Sequence, residues 1–106
     1  MARQPLEREK IAIPEGGRVS SPIALHGDAV VLTIYAPKLT GGEAFVEVSP
    51  DGERYLLLVH KGVPVKVKSD SACNLPIPAC KLLRVASMFD QDEVKTFQVL
   101  ELLEIG

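Results

Sequence analysis

From Arg18 onward, apolar residues recur at every second position in short runs bounded by Gly, Pro and Asp. That period belongs to strands with one buried face. Ala29-Val-Val-Leu-Thr-Ile-Tyr-Ala36 is rich in β-branched residues and closes at Pro37. Phe45-Val-Glu-Val-Ser49 sets Val46 and Val48 on one face and Glu47 on the other. Ser49-Pro-Asp-Gly52 is a turn, because Pro50 pre-sets φ and Gly52 accepts positive φ. Arg54-Tyr-Leu-Leu-Leu-Val-His60 is apolar at both parities and reads as a central strand, and Lys61-Gly62 turns again. Val63, Val65 and Val67 alternate with Lys66 and Lys68, and Pro64 places that run at an edge or a strand start. Leu82–Ser87 and Thr96–Ile105 complete the set, with Met88–Lys95 an acidic loop between them. The last run also has the composition of a short helix, but its all-β context favours a strand.

Short strands at regular spacing with Gly and Pro turns predict an all-β fold, a single antiparallel β-sandwich of jelly-roll or Ig-like type. About seven or eight strands are expected. The predicted core is Val30, Leu32, Ile34, Val46, Val48, Tyr55, Leu57, Val59, Val65, Leu83, Val85 and Val99.

Residues 1–17 read differently. Arg3, Glu7, Arg8, Glu9, Lys10 and Glu15 crowd the segment, Pro5 and Pro14 break it, and Gly16-Gly17 forms a hinge. Leu6, Ile11 and Ile13 give it apolar teeth. The expected organisation is therefore an N-terminal arm, 1–17, and a sandwich domain, 18–106. The arm lies on its own domain or on a neighbour. Arg3, Leu6, Arg8, Ile11 and Ile13 are its candidate interface residues, acting by strand addition to an edge.

A chain of 106 residues suits one domain with a core of its own. Its 12 Lys+Arg against 14 Asp+Glu leave a net charge of −2, without the basic excess of a nucleic-acid binder. The charged N-terminus lacks the apolar run of a signal peptide, and no stretch is long enough to span a bilayer. The sequence thus predicts neither a nucleic-acid nor a membrane partner.

Candidate chemistry is sparse. None of the serines stands in a Gly-x-Ser-x-Gly elbow, and no base is visible beside them. His26 precedes Gly27-Asp28 as a turn residue, and His60 ends a strand. Cys73 and Cys80 fit two small, partly buried residues. A disulfide between them is conceivable, and a zinc set with both histidines would require a coincidence of folding. Asp90, Asp92 and Glu93 lack the alternating ligands and central Gly of a calcium loop. Gly41-Gly42 opens no helix and is not a phosphate cradle. No catalytic residue, metal or cofactor is expected.

Several runs together carry a resemblance. They are Ser21-Pro-Ile-Ala-Leu-His-Gly27, Val31-Leu-Thr-Ile-Tyr-Ala-Pro37, Leu39-Thr-Gly-Gly-Glu-Ala-Phe-Val-Glu-Val-Ser-Pro-Asp-Gly52, Tyr55-Leu-Leu-Leu58, Leu75-Pro76 and Leu82-Leu-Arg-Val-Ala-Ser87. In this order, from Ser20 to about Leu103, the chain resembles small β-sandwich virion proteins of tailed bacteriophages. Leu39 stands where that group usually has a Trp, and the segment before Gly16 has no counterpart in it. The resemblance implies a non-enzymatic particle component: a capsid decoration or cement protein assembled in the host cytoplasm and carried on the virion. A homo-oligomer, a trimer on a pseudo-hexagonal shell, and the viral major capsid protein are the implied partners. The alternative is a carbohydrate- or protein-binding module, such as a tail accessory or adhesion domain. Sugar platforms need exposed aromatics, and of Tyr35, Phe45, Tyr55, Phe89 and Phe97 only Phe89 falls outside a core position.

Overall fold

The alternating runs do fold as strands, and a computed structural model describes them over residues 2–105. Among the described residues there are eleven strands and no helix. They are β1 (Ala2–Glu7), β2 (Ile11–Ile13), β3 (Ala29–Tyr35), β4 (Glu43–Ser49), β5 (Leu56–Leu57), β6 (Val59–His60), β7 (Val63–Pro64), β8 (Lys66–Lys68), β9 (Ala72–Pro76), β10 (Leu82–Ala86) and β11 (Lys95–Ile105). Every pairing between them is antiparallel. The fold is all-β and sandwich-like. The C-terminal run is a single strand of 11 residues, so context overrides its helical composition.

The first sheet has the order β1-β11-β3-β9, with β2 also on β11. Strands β1 and β2 lie along one side of β11, from Ala2 opposite Ile105 to Ile13 opposite Lys95. Between them Arg8, Glu9 and Lys10 face only Gln98 and Val99, one residue too many for a regular ladder. Such a bulge bends a strand and re-aims its side chains.

The second sheet has the order β10-β4-β5, with β8 also on β4. β5 and β8 share one line along β4, Leu57 opposite Glu47 and Lys66 opposite Phe45. The N–H of Val65 donates to the carbonyl of Leu58 (2.8 Å), which closes a neck. Val59–Pro64 leave through that neck as the β6–β7 hairpin. Its turn residues, Lys61 and Gly62, have φ of 52° and 80°, the two positive values of a type I′ turn. On the far side, β10 is covered by residues 18–23: the N–H groups of Ser20 and Ile23 donate to Val85 and Leu83, both at 2.8 Å. A covered edge does not invite aggregation.

Leu32 and Ile34 of β3, Phe97 and Val99 of β11, and Ile11 and Ile13 of β2 meet Ala44, Val46, Val67, Leu83 and Val85 of the second sheet. Six of the residues expected in the core are buried: Leu32, Ile34, Val46, Leu83, Val85 and Val99. Val30, Val48, Tyr55 and Val65 are half-buried. Leu57 and Val59 are not core residues; they stand 48% and 53% exposed. Residues 54–60 are not a central strand but a short outer strand that turns away into a hairpin, and of this run only Leu58 packs against the core.

Candidate assembly surfaces

The residues expected to form an arm interface divide sharply. Ile11 and Ile13 are buried in this chain's own core, opposite Phe97 and Lys95, and cannot be offered to a neighbour without opening it. Leu6 is half-buried opposite Glu101. Arg8 turns inward at the bulge, and its Nη1 lies 2.5 Å from Glu101 Oε1. Arg3 alone is exposed. Residues 1–17 therefore lie on their own domain over the described part of the segment.

Among the described residues nothing pairs with the outer edge of β1. The Arg8 N–H donates to Val99 (2.9 Å), and in this register the even-numbered residues of β1 also bond to β11. Arg3, Pro5 and Glu7 therefore turn their peptide groups outward, where Pro5 has no N–H to give. A proline and two charged residues on an edge oppose strand addition.

The outer face of the second sheet is different. By register, Ala86, Phe45 and Lys66 form one row across it, and Arg84, Glu47 and Leu57 the next. Arg84 Nε donates to Glu47 Oε1 at 2.7 Å, and its guanidinium lies 3.8 Å from the centre of the Tyr55 ring. Lys66 Nζ is 3.5 Å from Glu43 and 5.7 Å from the centre of the Phe45 ring. A shallow groove of about 340 Å³ crosses this face, with Phe45, Leu57, Ala86 and Met88 among its walls. Leu57 is half in solvent and Met88 is 65% exposed. Leu56, Val59 and Val63 are also each more than half exposed, and Val59 borders a different groove, with Leu75 and Ile77.

The charges on and near this face are largely paired within the chain: Lys66 with Glu43 (3.5 Å), Asp90 with Arg18 (2.6 Å), and Asp92 and Glu93 with Lys95 (2.9 and 3.4 Å). Residues 54–68 hold Arg54, Lys61, Lys66 and Lys68 and no acid. Residues 88–94 hold Asp90, Asp92 and Glu93 and no base. The acidic loop is firmly built. Gln91 is buried, accepts from the Thr40 N–H (3.0 Å) and donates to Ser87 Oγ (2.9 Å) and the Phe89 carbonyl (3.0 Å). The hydrogen bond that Lys95 Nζ donates to Asp92 Oδ1 (2.9 Å) holds the Lys95 ammonium above the ordinary lysine range and draws the Asp92 carboxyl down. Phe89, 54% exposed, lies over Gly41.

The other groups have ordinary structural partners. His26 Nδ1 accepts from the Asp28 N–H (3.0 Å), as a turn residue does. His60 sits on the hairpin and borders a groove of about 330 Å³ whose walls include Leu58, Val65, Leu75 and Ile77. Cys73 and Cys80 are free thiols, and burial pushes the pKa of both up, away from reactive thiolate. Among the described residues no three His, Cys, Asp or Glu gather as a metal-binding group. No helix among them is long and apolar enough to cross a membrane.

The exposed apolar face was missed because its residues read as core. Two signals pointed to it: Lys61-Gly62 between Val59-His60 and Val63, which marks an I′ hairpin, and Met88-Phe89 beside an acidic run.

No family model and no curated protein matches the chain. Among solved structures, it is similar to the SPBc2 prophage-derived protein YomS. The TM-score is 0.60 at 11% identity, over 95% of this chain and 93% of that one. A structure of Bacillus endospore appendages, which form disulfide-linked pili, aligns with a TM-score of 0.45 at 12% identity, over 100% and 93% of the two chains.

Proposed function

We propose that this chain is a non-enzymatic structural protein of a tailed-bacteriophage particle. It sits on the capsid as an oligomeric decoration or cement subunit and contacts the major capsid protein. The observation that carries this reading is the likeness to YomS, which runs through almost the whole of both chains and links the architecture to a prophage-derived protein. The order of strand motifs from Ser20 to Leu103 supports it from the sequence side. The distribution of chemistry agrees: polar groups are spent on turns and loop locks, while apolar side chains stand in solvent on one sheet face. A face of that kind suits contact between proteins.

The test is sedimentation of purified protein with tailed-phage heads that lack it. Saturable binding at a fixed ratio to the major capsid protein is expected. Protein that stays in the supernatant at every concentration overturns the capsid reading.

A further inference from the structure

We propose that the free edge of β9 and the groove beside it form a docking site for one extended segment of a partner protein. The segment adds to the first sheet as a strand beyond β9 and places an aliphatic side chain in the groove. The inference goes beyond the structural reading above and does not depend on it.

β9 closes the first sheet on the side away from β1. The Ala36 N–H donates to the Ser71 carbonyl (2.8 Å) and the Ile77 N–H to the Val30 carbonyl (3.3 Å). In this register Cys73 and Leu75 also bond to β3, so Ala72, Asn74 and Pro76 turn their peptide groups outward. Among the described residues no backbone hydrogen bond reaches that outer side. Ala72 and Asn74 offer donors and acceptors in alternation there, and Pro76 ends the row with a carbonyl only. From Ala72 to Pro76 the strand carries no charge. The other open edges are guarded: β1 by Arg3, Pro5 and Glu7, β8 by Lys66 and Lys68, and β5, β6 and β7 by being only two residues long.

A groove of about 330 Å³ lies against this edge. Asn74, Leu75 and Ile77 form one wall, and Leu58, Val59 and Val65, at the neck and side of the β6–β7 hairpin, form the other. The two layers are close at Cys73, whose Sγ lies 3.6 Å from the Lys66 carbonyl, and the groove opens beyond it. Its volume is at the small end for a ligand cavity and suits one or two aliphatic side chains. Edge and groove together specify the occupant. An extended backbone pairs with Ala72 and Asn74, and the incoming residue opposite Leu75 points its side chain to the same inner face, where the groove lies. A second copy supplies no such strand. Leu75 of its own β9 is 5% exposed and committed to its own core, and its β1 edge is charged and broken by Pro5. The partner is therefore another protein, with an uncharged segment whose alternate apolar side chains are free.

The experiment is an amide NMR titration of the full chain with capped peptides, acetyl-Lys-Thr-Xaa-Thr-Xaa-Thr-Lys-amide, in which Xaa is Val, Ile, Leu or Phe, with Asp as control. At least one apolar peptide is expected to shift the Ala72 and Asn74 amides and slow their exchange, while the Arg3 and Glu7 amides stay as they were. The Asp peptide is expected not to bind. The peptide that binds is then N-methylated, at its threonines in one version and at Xaa in the other. A strand bonded through one edge tolerates one version and loses at least about tenfold in affinity with the other. Val59→Asp, on the groove wall, and Ala72→Pro, which removes an outward donor, are each expected to weaken binding about tenfold or more. Circular dichroism and thermal melting establish that each variant is folded, and the methylated peptides carry the test where one is not. The proposal is overturned if no apolar peptide binds at up to about 1 mM, if the shifts fall on β1, or if both methylated versions bind like the parent. Protection of Ala72 and Asn74 that rises with protein concentration in the absence of peptide makes a second copy the occupant and overturns it as well.

Discussion

Arg8 and Glu101 are 93 residues apart in sequence, yet Arg8 Nη1 lies 2.5 Å from Glu101 Oε1. Glu101 occupies the core-facing row of β11, between Val99 and Leu103, and its side chain is wholly buried. Its second oxygen accepts the backbone N–H of His26 at 2.9 Å. The bulge after Arg8 thus turns a charged N-terminal segment into part of the fold. Removing one partner of such a pair leaves the other buried and uncompensated. Arg8→Ala is expected to cost ~3–5 kcal/mol. Glu101→Gln keeps an acceptor for His26 and is expected to cost less, ~1–3 kcal/mol. Equilibrium denaturation of the two variants checks the order.

Leu57 and Phe97 separate an apolar residue on a surface from one in the core. Leu57 is 48% exposed and Phe97 is fully buried. Leu57→Ala is expected to change stability by less than ~0.5 kcal/mol, whereas Phe97→Ala is expected to cost ~3–5 kcal/mol. Urea titration at low protein concentration, where self-association does not contribute, makes the comparison.

These two residues also show what the sequence could reveal. β3, β4 and β10 were legible because each alternates apolar and polar residues around a buried face. Ser49-Pro-Asp-Gly52 and Lys61-Gly62 were legible because their turn chemistry is local. Residues 54–60 were not, since a run apolar at both parities fits a strand between two layers and also a face that waits for a partner. Only the pairing of β5 and β8 with β4 decides between them. Ile11 and Ile13 show the period of a strand, but the charges around them read as an arm lying on its own domain or on a neighbour, not as a strand of the core. The acid on the inner row of β11 needs Arg8, and nothing local announces a contact so distant in sequence.

Gly41 has φ of +89°, and a Cβ added there would lie 2.2 Å from Cδ2 of Phe89. Gly41→Ala therefore adds backbone strain and a clash with the ring. A loss of ~1–3 kcal/mol is expected. In a Phe89→Ala background the clash is gone and only the strain persists, so the same substitution is expected to cost measurably less. A double-mutant cycle of melting free energies reads the difference.

Asp51 supplies a pH signature. Its Oδ1 accepts the backbone N–H groups of Arg54 (3.0 Å) and Glu53 (2.9 Å) and the hydroxyl of Ser49 (3.1 Å). The backbone bond from Arg54 is the largest cause, with that from Glu53 next, and the pKa falls to about 2. The unfolded chain keeps the ordinary aspartate value, about 3.9. A depressed folded value means that the ionised turn contributes fully above about 4 and loses its contribution as pH falls through about 2. Melting temperature is therefore expected to fall with acid across that window, and Asp51→Asn is expected to flatten this part of the curve.

Truncation tests how deeply the N-terminal segment belongs to the fold. Ala2–Glu7 carry exposed side chains except for the half-buried Leu6, so their deletion removes one edge strand and little core. The shortened chain keeps Arg8 for Glu101 and Ile11 and Ile13 for the row of Phe97. It is expected to melt cooperatively at a modestly lower temperature. Deletion through Ile13 removes the pair of fully packed isoleucines, opens one side of β11 and strips Glu101 of its cation. Buried Ile truncations cost ~2–5 kcal/mol each, and loss of the cation costs a further ~3–5 kcal/mol. Together these exceed much of the stability of a domain this size, ~5–15 kcal/mol. The longer deletion is therefore expected to lose its cooperative transition. If it melts like the full chain, residues 8–13 are an appendage and not part of the core.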